Sequence, residues 1–130
     1  KFSRGFLVHP SGDVTGSLIQ HNIFYCTNAD MNLLYEGKGK PSKSTPVTAL
    51  RVCKADNNIY FCTKNPRWAV LHLSTQCGYG VECNSIEADP LFVDPDNGNF
   101  QLQPDSPALR LGFQPLAVKP IDRIVFPFNE

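Results

Sequence analysis

Apolar residues in this chain come in short runs. Ser17-Leu18-Ile19, Asn22-Ile23-Phe24-Tyr25 and Leu33-Leu34-Tyr35 are followed by Ala49-Leu50-Arg51-Val52, Asn58-Ile59-Tyr60-Phe61 and Ala69-Val70-Leu71-His72-Leu73. Each run is rich in β-branched and aromatic side chains, and turn-forming residues separate one from the next, the pattern of short β-strands. No stretch carries a sustained 3.6-residue period, so little helix is expected. The segment 37–46, Gly-Lys-Gly-Lys-Pro-Ser-Lys-Ser-Thr-Pro, reads as an inserted loop.

The runs also repeat. Residues 57–63 match residues 21–27 at a constant offset of 36, pairing Asn22 with Asn58, Ile23 with Ile59, two aromatics with two aromatics, Cys26 with Cys62 and Thr27 with Thr63. Three short strands per unit, wound so that like residues stack at the ~4.8 Å strand spacing, give a parallel β-helix. In that arrangement Asn22 and Asn58 form a side-chain ladder at a turn, and Cys26 and Cys62 stack as inward thiols. The first coil would leave a row of unpaired backbone groups, an edge that invites a second copy of the chain.

From residue 88 the texture changes. Pro90 and Pro95 suit edges or corners, and Asp96-Asn97-Gly98 is a tight-turn signal between two short strands. The segment 115–130 is apolar and punctuated by Pro115, Pro120 and Pro127, a tail of the type that hides the open end of a coil stack.

Twelve basic and twelve acidic residues leave zero net charge, so no overall field draws in nucleic acid or a charged membrane surface. Lys38, Lys40 and Lys43 are read as part of the solvated loop. No apolar run reaches the ~18 residues of a membrane span. The start, Lys1-Phe2-Ser3-Arg4, reads as a mature or truncated end without a signal peptide. The five cysteines contain no CxxC pair, which argues against a zinc or thioredoxin-type site, and no metal site is expected from His72, Cys77 and Cys83. A Cys77–Cys83 bridge fits an oxidising compartment.

The segment Ala88 to Phe113, with Asp94-Pro95-Asp96-Asn97-Gly98-Asn99-Phe100 and Ser106-Pro107-Ala108-Leu109 inside it, closely resembles the closing segment of right-handed parallel β-helix proteins of the pectate-lyase-like class. Residues 78–87 resemble their lead-in, and the coil strands carry the likeness back over roughly residues 14–118. The resemblance implies an all-β right-handed parallel β-helix of about three coils, with residues 1–130 as one domain: coils over 1–87 and a closing segment and tail over 88–130. It also implies a secreted or extracellular, carbohydrate-active protein that handles a polysaccharide or oligosaccharide, of which this chain is a C-terminal portion, inactive alone. No cofactor is implied.

Glycoside hydrolysis needs two carboxyl groups flanking the scissile bond. Asp13 and Asp56 each open a repeat unit about one coil apart and are the catalytic candidates, with Asp30 and Glu36 as alternatives; ordinary turn carboxylates are the plain competing reading. Asp89, Asp94, Asp96 and Asp105 sit among prolines and glycine and read as turn formers. A polysaccharide lyase ranks below a hydrolase because no dense acidic cluster exists to hold Ca²⁺. His9, His21 and His72 could act as bases but lack a spaced nucleophile. Trp68, Tyr60 and Tyr79, with His72 beside them, are the candidate sugar-binding platform, against the commoner role of aromatics as core. The rival to an enzyme is a non-catalytic structural, self-associating or carbohydrate-binding module.

Overall fold

The structure is a computed structural model that describes residues 6–8, 15–28, 32–34 and 50–115. Among the described residues four strands precede position 37: β1 Phe6–Val8, β2 Leu18–Gln20, β3 Ile23–Cys26 and β4 Asn32–Leu34. After it come a 3-10 turn at Leu50–Val52, β5 Lys54–Asp56, β6 Ile59–Cys62 and helix α1 Val70–Cys77. Strand β7 Ile86–Glu87, the hairpin strands β8 Phe92–Asp94 and β9 Asn99–Leu102, and the short helix α2 Pro107–Arg110 complete the order.

The repeat is physically realised. Strands β3 and β6 run parallel with Ile23 opposite Ile59, Phe24 opposite Tyr60, Tyr25 opposite Phe61 and Cys26 opposite Cys62. Strand β2 pairs with β5 in the same sense, Leu18 opposite Lys54. The corner that joins β2 to β3 is repeated between β5 and β6: His21 and Asn57, 36 residues apart, both adopt left-handed backbone with φ of 54° and 56°. Asparagine enters that region more readily than most residues. Directly after the corner the backbone amide of Asn22 donates to Asn58 Oδ1 at 2.9 Å.

The expected all-β parallel β-helix of about three coils is not what the described residues form. The parallel pairs lie in separate sheets, β1–β4, β2–β5 and β3–β6–β7, of two or three strands each, and none closes or continues as a solenoid. Two expected strands are helical. Residues 50–52 form a 3-10 turn, and strand pairing begins only at Lys54. The run from Ala69 to Leu73 enters an α-helix, because Ala69, Leu73 and Gln76 lie on one helical face and turn inward. The closing hairpin β8–β9 is antiparallel. Its 3-10 turn ends at Gly98, whose φ of 80° is the left-handed conformation a glycine takes without steric cost.

The core is small and aromatic. Leu33, Tyr60 and Ala69 are buried together, with Phe24, Trp68 and Leu73 packed against them. Phe24 stacks on Tyr60 with ring centroids 4.6 Å apart, so the sheet pairing and the core share one contact. Ser106 caps α2, its hydroxyl accepting from the Ala108 amide and donating to the Pro90 carbonyl, which ties the helix to the lead-in of β8. The loop 37–46, the tail 116–130 and the residues Asp13, Asp30, Glu36 and His9 lie outside the described residues.

Candidate functional site

Two features stand out around β3 and β6: a buried polar centre below β6 and an open edge above β3. The centre is built on Glu82, which is 1% exposed with a left-handed φ of 60°. A disulfide between Cys77, at the end of α1, and Cys83 closes the loop that carries it. The Glu82 amide donates to the Ala55 carbonyl at 2.7 Å, which turns the carboxylate inward. There it accepts from the Tyr60 hydroxyl at 2.7 Å, from Asn58 Nδ2 at 3.1 Å and from the Ser85 hydroxyl. A buried carboxylate is tolerable only with such donors.

Asn58 links the centre to the sheet. Its Nδ2 donates to the Ile19 carbonyl as well as to Glu82, and its Oδ1 accepts from both the backbone amide and Nδ2 of Asn22. Its own backbone amide donates to Ser85 Oγ at 2.8 Å. Because Ile86 lies opposite Ile59, Ser85 occupies the ladder position directly before β7. The series Asn22, Asn58, Ser85 therefore follows one rule: the side chain of each rung receives the backbone amide of the rung before it.

Electrostatics make the centre structural. Burial pushes the Tyr60 phenol far above its ordinary range, and the charge and hydrogen bond of Glu82 add to the shift. His72 packs against Tyr60 with ring centroids 5.3 Å apart. Burial pushes the His72 pKa down, partly opposed by the Glu82 charge. Two buried atoms here, His72 Nε2 and Gln76 Oε1, have no hydrogen-bond partner among the described residues, and their residues lie one helical turn apart. Glu87 of β7 accepts the amide of Ala69 at the start of α1, fixing the helix to the sheet.

The described residues hold one of the two catalytic candidates. Asp13 lies outside the described residues. Asp56 is occupied: its carboxylate receives the backbone amide and the side chain of Asn84, both at 2.7 Å. Burial, the largest single influence, pushes its pKa up, but these bonds, with further ones from the amides of Asn57 and Ser85, together outweigh it and hold the carboxyl below its ordinary value. A group held as carboxylate in this way is a turn clamp and a poor proton donor.

The candidate aromatic platform is drawn largely into the core. Tyr60 is buried in the core and Trp68 packs beside it. Tyr79 is exposed, but the Arg51 guanidinium lies 3.2 Å over its ring. His72 faces Tyr60 rather than solvent. His21 is also engaged, its Nε2 donating to the Leu111 carbonyl at 3.1 Å and its ring edge-on to Phe113. No group of three metal-binding side chains exists among the described residues. Cys26 and Cys62 are buried thiols, stacked in register as the repeat requires.

Sequence reasoning missed Glu82 and Ser85. Glu82 has no spacing signal, and only its place inside the Cys77–Cys83 loop marks it. Ser85 stands where the ladder has asparagine, so identity matching passes over it.

The second feature is the outer side of β3. The carbonyls of Asn22 and Cys26 accept from the amides of Ile59 on β6 and of Thr63 directly after it. Alternate residues of a strand direct their backbone groups to opposite sides, so Ile23 and Tyr25 point theirs away from β6. Strand β3 is the edge of its sheet among the described residues, as β2 is of the neighbouring one. On β2, Leu18 is 67% exposed. Comparison of the chain with protein-family models, with curated proteins and with solved structures finds no match.

Proposed function

We propose that this chain is a non-catalytic structural module that works by association through the open edge formed by β2 and β3. The observation that carries the reading is the outer side of β3, unpaired among the described residues and lying beside the exposed Leu18. An unprotected edge is a template for another strand. A strand pairing along that edge would also cover Leu18 on the neighbouring β2. The commitment of Asp56 to Asn84 and the burial of Tyr60 favour this reading over glycoside hydrolysis. The carbohydrate-related, extracellular setting rests on the resemblance of residues 88–113, and the exposed Cys77–Cys83 bridge suits an oxidising compartment.

Sedimentation velocity over a wide concentration range tests the proposal. The chain is expected to associate as concentration rises, and Leu18→Lys, a change at an exposed position, is expected to keep it monomeric. A strict monomer at high concentration contradicts the proposal, as does association that the lysine leaves untouched.

A further inference from the structure

We infer that the β3 edge is built to receive an extended polypeptide segment running parallel to it, with Asn22 Oδ1 as the acceptor for the incoming backbone. This rests on the edge being the working surface of the module, and it names the kind of partner. Asn58 Oδ1 receives the amide of Asn22, and Ser85 Oγ receives the amide of Asn58. By the same rule Asn22 is the next receiver. Its Nδ2 is already engaged with the Gln20 carbonyl and Asn58 Oδ1, at 3.1 Å each, which directs Oδ1 away from β6. No described group pairs with that oxygen, and the residue is exposed.

The rest of the edge specifies direction and chemistry. A parallel strand in the β3–β6 register would place one amide on Asn22 Oδ1 and the amide two residues on at the Ile23 carbonyl. The amides of Ile23 and Tyr25 would donate to its carbonyls in return. Phe24 has one ring face stacked on Tyr60 and is only half-buried, so its other face suits an aromatic two residues after the ladder position. An antiparallel partner satisfies the backbone but cannot repeat the ladder bond or this stacking. The occupant is therefore an extended segment with an apolar residue and then aromatics after the ladder position, as in Asn22-Ile23-Phe24-Tyr25 and Asn58-Ile59-Tyr60-Phe61.

The probe is a blocked, fluorescently labelled peptide of residues 21–27 carrying Cys26→Ser, titrated with the full chain and followed by anisotropy. Saturable binding is expected, about tenfold or more weaker for Asn22→Leu protein, in line with loss of a partly desolvated hydrogen bond. Methylating the peptide nitrogens of its asparagine and phenylalanine is expected to abolish binding without touching the protein. A spin label at the peptide's amino end should broaden the resonances of Asn22 more than those of Cys26. The reverse broadening, or binding indifferent to nitrogen methylation, overturns the inference. So does a chain that self-associates yet ignores the peptide, a result that leaves the edge-association reading standing.

Discussion

At the scale of single residues, Glu82 carries the largest consequence. Its carboxylate satisfies Tyr60, Asn58 and Ser85, all within the interior. Glu82→Ala strands three donors, and the loss is expected to be about 3 kcal/mol or more in denaturant titration. A loss under about 1 kcal/mol would show that the centre is not structural. His72 sets the acid limb. Its folded pKa lies below the ordinary 6.5, so the unfolded chain binds a proton that the folded chain refuses. Stability is full above 6.5 and falls as pH drops below it, before Asp56 adds its own loss below 3.8. The variant His72→Leu should flatten the slope between those two values in pH-dependent thermal melts. Tyr60 sets the alkaline limb in the opposite sense, its raised pKa giving stability that is lost as pH rises past 10.0.

At the scale of elements, the ladder joins β3, β6 and β7, and its rungs are not equivalent. Asn58 is fully buried with both ends of its amide occupied, whereas Asn22 is exposed at the end of the series. Replacing Asn58 by leucine is expected to cost about 2–3 kcal/mol, and the same change at Asn22 under about 1 kcal/mol. Equal costs measured by chemical denaturation would mean that the two positions do not form a series. The Cys77–Cys83 bridge closes a short loop, and its replacement by two serines is expected to lower stability by about 2 kcal/mol. The parallel register was legible in the sequence because the 36-residue offset aligns side chains that physically stack. The helix at 70–77 was not, since its inward face uses Ala69 and Gln76 beside Leu73, and the apolar run alone resembles a strand. The polar centre was also hidden, because its members come from β6 and from a disulfide loop whose closure only the fold reveals.

At the scale of the whole molecule, the described residues form several small sheets around one aromatic core, with the β3–β6–β7 sheet ending on one side at β3. Of the candidate enzyme residues read from the sequence, Asp56 is committed to Asn84, while the repeat that suggested stacking leaves an edge at β3 among the described residues. Residue-resolved amide hydrogen exchange tests that edge most directly. In dilute solution the amides of Ile23 and Tyr25 should exchange freely while those of Phe24 and Cys26, directed toward β6, are protected. On association all four should be protected. Equal protection of the four in the dilute monomer would mean that the outer side of β3 is already covered, and the account would be wrong.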